Sequence, residues 1–297
     1  HTYLEMRGEC MDLGAQIKKY WIENLESNRE ENLPNWIVKK KRLHEQRGNK
    51  VPRITGKGHV YRILDVGDEK QQIEYRLGVT FLIKRNNNFY HEEEERTHQA
   101  LFYKGTLVED KQVKYEDQQD PLPKIQPIDE GEVRNQRFEY DRRAAVQYAE
   151  RWWNDYNPEF EKFDVDCTNF VSQCLYAGGA PMRGAPNRSN GWWYQNETWS
   201  YSWAVAHSLR WYLSGSNQGL IGKAVDDPTE LRPGDIICYD FQGDGRWDHN
   251  TIVVAKDADG MPLVNAHTDN SRHRYWSYED SAAWTEDCKY KFFQIGE

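Results

Sequence analysis

The first half of the chain alternates, and the alternation is the pattern of strands. From Gln71 to Arg85 the residues Ile73, Tyr75, Leu77, Val79, Phe81 and Ile83 fall on one face, the mark of a strand with one buried side. Val60, Arg62, Leu64 and Val66 alternate with His59, Tyr61, Ile63 and Asp65 before it. Asn86-Asn87-Asn88 turns the chain into a strand from Phe89 to Tyr103, and Lys104-Gly105 turns it again into Thr106–Val113. Two helices precede this meander. Leu13, Ile17, Tyr20, Trp21, Ile22 and Leu25 recur at helical spacing within Tyr3–Leu25, and a second helix is expected from Trp36 to Gln46, stopping at Gly48. Charge on these elements is read as solvated. The basic run Lys39-Lys40-Lys41-Arg42 is expected on a helix surface, and His91 to Arg96 is either an acidic binding face or an exposed strand.

Periodicity lapses between Glu116 and Asn135, where Pro121, Pro123 and Pro127 stand among charges and glutamines. The expected organisation is an N-terminal α+β domain over 1–117, a linker over 118–137 and a second domain over 138–297. For the first domain, fold analogy suggests a cystatin-like or nuclear-transport-factor-like curved sheet. Beyond Tyr140 the composition shifts, since ten of the twelve tryptophans lie there. Asp141–Trp153 is helical, with Ala144, Ala145, Tyr148, Ala149 and Trp152 on one face. Trp203–Leu213 predicts another helix, and Ile236–Tyr239 a strand entered through Arg232-Pro233-Gly234-Asp235.

Candidate chemistry centres on Phe163 to Gly179. Phe170, Val171, Cys174 and Leu175 share one helical face, Asp166 suits the N-cap, and Gly178-Gly179 stops the helix. Cys167 then lies in the first turn, where free N–H groups and the dipole lower a thiol's pKa. Cys174, seven residues on, reads as a buried small hydrophobe. His249 opens the β-branched run Asn250 to Val254, Asp257–Gly260 makes a hairpin turn, and Leu263–His267 returns. A turn centred near residue 258 sets His249 opposite His267, so one imidazole would orient the other. Asn265, Asp269 and Asn270 are rivals for that orienting place. Trp192 and Trp193 are either core or a groove wall that stacks on sugar or peptide.

Charge and cysteine usage then narrow the class. The 297 residues carry a net charge of −9, against a nucleic-acid binder, and no run of eighteen apolar residues that would span a membrane. Five scattered cysteines make no disulfide framework, and their odd number leaves at least one thiol unpaired within the chain.

Tyr140-Asp141-Arg142, Tyr148-Ala149, Trp152-Trp153, Asn157-Pro158, Asp166-Cys167-Thr168-Asn169-Phe170-Val171-Ser172-Gln173 and Gly178-Gly179 together carry a family likeness. With Trp192-Trp193-Tyr194, Ser202-Trp203, Gly234-Asp235, His249 and His267-Thr268, they resemble the putative amidase domain family (amidase_6) of Gram-positive spore formers. The likeness covers about Phe138 to Phe293. More distantly, Asp166-Cys167, Phe170, Gly234-Asp235 and His249 resemble the NlpC-type and CHAP-type cell-wall peptidases. The resemblance implies a papain-like C-terminal domain in which the cysteine helix packs on an antiparallel sheet. It also implies a cofactor-free cysteine amidohydrolase acting on peptidoglycan stem peptides outside the cell, at the wall or spore, after loss of a signal peptide.

In that scheme Cys167 attacks, His249 moves the proton and His267 orients it. The oxyanion and substrate candidates are the Cys167 backbone N–H, Asn154, Asn157, Asp166, Trp192 and Trp193. Two other classes compete with it. One is a zinc hydrolase using Cys167, His249, His267 and a carboxylate such as Asp248, although the spacing has no compact zinc signature. The other is a noncatalytic wall-binding module using the aromatic groove. Calcium at Asp240, Asp244 and Asp248 is a further reading, against which Asp-Gly turns are ordinary turns.

Overall fold

The computed structural model describes residues 8–26, 33–113 and 138–296, with side chains from residue 13 onward in its first helix. The expected linker at 118–137 and the expected helix start at Tyr3 lie outside the described residues. The chain divides into two compact units, His1–Glu116 and Asp117–Glu297.

The first unit follows its alternation. Helices α1 (Gly8–Glu26) and α2 (Asn35–Gln46) precede four strands, β1 (Lys50–Gly67), β2 (Lys70–Arg85), β3 (Asn88–Tyr103) and β4 (Thr106–Gln112). The strands form an antiparallel meander. Ile73, Tyr75, Leu77, Val79, Phe81 and Ile83 of β2 form its core with Leu13, Ile17 and Trp21 of α1 and Ile37 of α2.

The charges of this unit correct the sequence reading. Glu92, Glu94, Arg96 and His98 occupy the inward positions of β3, and Lys40, taken from sequence as solvated, is only 2% exposed. The Lys40 ammonium bridges Glu92 and Glu94. Arg96 meets Glu94 at 2.6 Å and stacks over Trp36, while His44 bonds Glu92 at 3.0 Å. Buried charges persist only when paired, and here the partners come from a helix and a strand some fifty residues apart in sequence.

In the second unit, α3 (Arg142–Trp152) and α4 (Cys167–Ala177) come first. A short hairpin follows, of β5 (Tyr194–Gln195) and β6 (Thr198–Trp199), and then α5 (Tyr201–Ala204) and α6 (Ala206–Gly215). The single helix expected at Trp203–Leu213 is broken at Val205, whose backbone is extended. An antiparallel sheet completes the unit: β7 (Gly222–Val225), β8 (Ile236–Asp240), β9 (His249–Lys256), β10 (Pro262–Ala266), β11 (Ser271–Tyr275) and β12 (Lys289–Ile295). Within the unit the strand order is β11-β10-β9-β8-β12-β7.

Strand alternation gives this sheet two covered faces. Ile236, Cys238, Ile252, Val254, Phe293 and Ile295 pack against Ala145 and Ala149 of α3, Phe170, Val171, Cys174 and Leu175 of α4, and Leu209 and Leu213 of α6. Ile237, Tyr239, Val253, Val264, Ala266 and Phe292 face the other way, against Leu231, Phe241 and Tyr278.

Two of the sequence motifs lock the sheet to α3. Arg142 donates to Asp235 Oδ1 at 2.6 Å, to the Pro233 carbonyl at 3.1 Å and to the Ile295 carbonyl at 2.5 Å. The Tyr140 hydroxyl donates to the Gly234 carbonyl at 2.8 Å. A Cβ at Gly178 would stand 2.4 Å from the Tyr140 ring, so that motif position has no room for a side chain.

Candidate active site

The cysteine helix begins on a buried carboxylate. Asp166 occupies the N-cap position of α4, but its side chain makes no cap bond to the helix. Oδ1 instead accepts from the Phe163 N–H (3.1 Å) and Asn169 Nδ2 (2.9 Å), and Oδ2 lies 2.6 Å from His267 Nδ1. The Asp166 N–H donates to the Thr268 hydroxyl at 2.9 Å. The other ring nitrogen of His267 meets the Trp152 carbonyl at 2.7 Å, and the ring stacks on Phe170 at 4.1 Å. Both nitrogens of His267 are therefore engaged with oxygen acceptors, and the residue ties the start of α4 to the end of α3.

The polar letters of the cysteine motif are all buried, and each has a partner. Asn169 Oδ1 accepts from Trp203 Nε1 at 2.8 Å. Ser172 donates to the Trp203 carbonyl at 2.8 Å and accepts from Trp192 Nε1 at 3.0 Å. Gln173 accepts from the Tyr148 hydroxyl at 2.6 Å. Trp192 and Trp193 are thus core, 0% and 2% exposed, with the Trp193 indole N–H donating to the Asn190 carbonyl. That burial corrects the groove-wall reading of Trp192 and Trp193. Asn157, an oxyanion candidate, spends its amide on the Tyr148 hydroxyl (3.0 Å) and the Glu159 N–H (3.0 Å). Asn154 lies half-buried in the loop after α3.

Cys167 sits at the first position of α4, 2% exposed. Burial pushes its thiol up to about 11, and the Asp166 carboxylate pushes the same way. The Asn250 N–H, the Thr168 hydroxyl and the Thr168 N–H oppose the shift. The lowered thiol expected from the helix start is corrected: desolvation disfavours the anion by more than the nearby donors recover. Cys174, fully buried in the apolar cluster, is also pushed well above its ordinary range by burial.

Asn250 locates the sulfur. Pairing of β9 with β10 is recorded from Lys256↔Pro262 to Ile252↔Asn265, and Asn250 lies beyond it. There its Nδ2 donates to Thr168 Oγ1 at 3.0 Å, and that oxygen lies 3.7 Å from Cys167 Sγ, so the sulfur is beside the start of β9. The His249 ring is packed by Tyr278 (5.0 Å), Tyr239 (5.6 Å) and Phe241 (6.0 Å). Its Nε2 is buried with no hydrogen-bond partner. Burial, reinforced by the Arg274 charge, lowers its pKa to about 3 and keeps the ring neutral. Cys167 and His249 are not hydrogen-bonded to one another in this state.

The hairpin register differs from the expected one by a residue. The turn runs from Asp257 to Met261, held by the Asp257 carboxylate on the N–H groups of Asp259 and Met261, which centres it near residue 259. Pairing begins at Lys256↔Pro262, and an irregularity after Leu263 shifts it to Val253↔Val264 and Ile252↔Asn265. Continued outward, that register brings His267 level with Asn250 rather than His249. Since alternate strand residues face opposite sides, His249 lies on the Tyr239 and Tyr278 side and His267 on the α4 side. Asn265 shares the α4 side, donating to the Ala149 carbonyl and to Glu150. Asp269 is exposed and Asn270 half-buried in the turn after β10. Sequence reasoning missed the residues that do surround His249, namely Tyr239, Phe241, Tyr278 and Arg274. The last two lie after the hairpin, where no periodicity marks them.

The zinc donor set does not converge. Among the described residues, no three His, Cys, Asp or Glu donors belonging to this unit alone gather within 4.8 Å. Asp240, Asp244 and Asp248 spend carboxylate oxygens on N–H groups of their own loop, at Gly245 (2.8 Å), Arg246 (2.8 Å) and Phe241 (2.9 Å) respectively.

A neutral, buried His249 has a measurable consequence. Its folded pKa lies below the unfolded one, so the unfolded chain takes up the proton first as pH falls. Stability should therefore drop by about 1.4 kcal/mol per pH unit between roughly pH 6.5 and 3 on this residue's account. Urea melts of the full chain at pH 6.5 and pH 5 should show His249→Gln losing about 2 kcal/mol less than the parent. Equal losses would mean that His249 is solvated.

The site thus sets a helix-borne, buried thiol beside the start of an antiparallel strand whose first residue is a buried, neutral imidazole. Residues 139–293 match the model for the "Putative amidase domain", and the chain belongs to that family, which points to amide hydrolysis. It is similar to the "Uncharacterized protein YhbB" of Bacillus subtilis (strain 168), with 44% identity over 265 residues, covering 87% of this chain and 85% of that one. It is also similar to the "Uncharacterized protein YjcM" of the same organism, 30% identical over 140 residues, which is 44% of this chain and 31% of that one. No solved structure matches it. No helix among the described residues is long and apolar enough to cross a membrane.

Proposed function

We propose that the chain is a cysteine amidohydrolase in which Cys167 is the nucleophile and His249 the general base, acting on peptidoglycan stem peptides outside the cell. The observation that carries this reading is the Thr168 hydroxyl, 3.7 Å from Cys167 Sγ and 3.0 Å from Asn250 Nδ2, because it sets the thiol beside the strand start that bears His249, whose Nε2 has no partner. The raised thiol and the lowered imidazole make a neutral resting pair. In the resting state the His249 ring packs on the Tyr239 and Tyr278 side, so it must swing past the strand start toward α4 to act, and as Sγ then bonds to the carbonyl carbon its proton passes to His249. His249 then gives the proton to the departing amine as the C–N bond breaks. Water, deprotonated by the same imidazole, hydrolyses the thioester and restores the thiol. The Cys167 backbone N–H is the proposed oxyanion donor, a contribution of about 3 kcal/mol in such sites. The aromatic box around His249 holds the ring in its resting position, and His267 braces Asp166. The resemblance to cell-wall peptidases supports the substrate class.

Full-length protein incubated with purified Gram-positive peptidoglycan should release new amino groups, with mass spectrometry placing the cut at an amide, and EDTA should leave the rate unchanged. Release of reducing sugar ends without new amines, or loss of activity in EDTA, would contradict the reading.

A further inference from the structure

Thr168 and Asn250 are buried polar residues that the amide chemistry above does not use, at 1% and 0% exposure. They meet beside the thiol. Asn250 Nδ2 lies 3.0 Å from Thr168 Oγ1, and Thr168 Oγ1 lies 3.7 Å from Cys167 Sγ. An amide nitrogen only donates, so this contact occupies a lone pair of the hydroxyl oxygen and leaves the hydroxyl proton to be placed elsewhere. The sulfur is within reach of it. The two residues come from different elements, Thr168 from the first turn of α4 and Asn250 from the start of β9, so the contact also pins the helix to the strand that carries His249.

We propose that Asn250 and Thr168 are positioning residues, a donor relay that aims the Thr168 hydroxyl proton at Cys167 Sγ and stabilises the nucleophilic thiolate. With the backbone N–H groups of Asn250 and Thr168, the hydroxyl makes a third donor converging on the sulfur. The relay opposes the two influences that disfavour the anion, burial and the Asp166 carboxylate on the same helix. From the sheet side, Cys238 of β8 also senses the thiol, and it is itself held protonated by burial. The catalytic meaning of the relay rests on Cys167 being the nucleophile, but its chemistry does not need a substrate to be seen. The opposite geometry is a definite rival. With the Asn250 amide turned over, its oxygen would take the Thr168 proton and leave none for the sulfur.

The test is the rate at which iodoacetamide labels Cys167, located by peptide mass spectrometry, at fixed pH and under conditions first order in reagent. Thermal melts show which variants are folded. Thr168→Val and Asn250→Ala should each slow labelling about tenfold, the loss of one hydrogen bond to a charged group. Thr168→Ser should restore the parent rate to within about threefold, because it keeps the proton. The double variant Thr168→Val, Asn250→Ala should be no slower than Thr168→Val alone, since a relay has one output. An unchanged rate in Thr168→Val, an equal loss in Thr168→Ser, or additive losses in the double variant would overturn the relay. If Thr168→Val does not fold, Thr168→Ser against Asn250→Ala still decides it, because a relay slows only the second. A labelling rate that responds as described in a protein that cleaves no amide would sink the proposed function and leave the relay standing.

Discussion

Cys167→Ala is expected to leave a folded protein whose amide hydrolysis has fallen by about four orders of magnitude or more, the loss typical of removing a covalent nucleophile. The cost in stability should be small, about 1 kcal/mol, because alanine keeps the helix start and only the sulfur atom is lost. Cys174→Ser should behave in the opposite way. Cys174 packs among Phe170, Leu175 and Ala145 with no exposure, so a hydroxyl there is buried in apolar surroundings at a cost of about 1–3 kcal/mol. Its activity per folded molecule should match the parent. The two cysteines stand seven residues apart on one helix and are both fully buried, so position rather than exposure separates their roles. Full activity in Cys167→Ala, measured as amine release, would remove the nucleophile from the account.

Asp166→Ala should be the most destabilising single change at this site, by about 3–5 kcal/mol, as expected when one member of a buried, hydrogen-bonded pair is removed. The carboxylate receives the Phe163 N–H, the Asn169 amide and His267 Nδ1, and alanine leaves all three without that acceptor in the interior. The loop from Phe163 and the turn bearing His267 should loosen together, and denaturant midpoints would show it. Asp166→Asn keeps the shape without the charge and should cost less. It also relieves the carboxylate that disfavours the thiolate, so in the folded fraction Cys167 should label faster than in the parent. Slower labelling in a folded Asp166→Asn protein would mean that the carboxylate serves the thiolate through its contacts rather than opposing it through its charge.

What was legible in the sequence was whatever repeats locally. Ile73 to Ile83 announced β2, and Phe170 to Leu175 announced the buried face of α4 and where it stops. The charges on β3 were misread because a strand's alternation shows which face is buried only when that face is apolar. Glu92, Glu94 and Arg96 point inward because Lys40 and His44 of α2 meet them there, a long-range pairing that no window of sequence contains. The thiol was misjudged for a related reason. The donors at a helix start are visible in sequence, whereas the depth of burial that opposes them is set by tertiary packing. The hairpin was placed correctly, but an irregularity after Leu263 slips its register, and one residue is enough to send His267 to the other side of the sheet. The box around His249 is assembled from Tyr239, Phe241 and Tyr278, which lie on both sides of the hairpin in sequence.

The central claim is that amide cleavage passes through a covalent bond to Cys167. Its most direct test is to incubate the full chain with purified peptidoglycan fragments, quench in acid, and weigh the peptide containing Cys167. The account predicts an acyl fragment of the substrate attached there as a thioester, lost on treatment with hydroxylamine. Amide hydrolysis with no adduct at Cys167 under conditions that trap a thioester standard, or an adduct on any other residue, would contradict it.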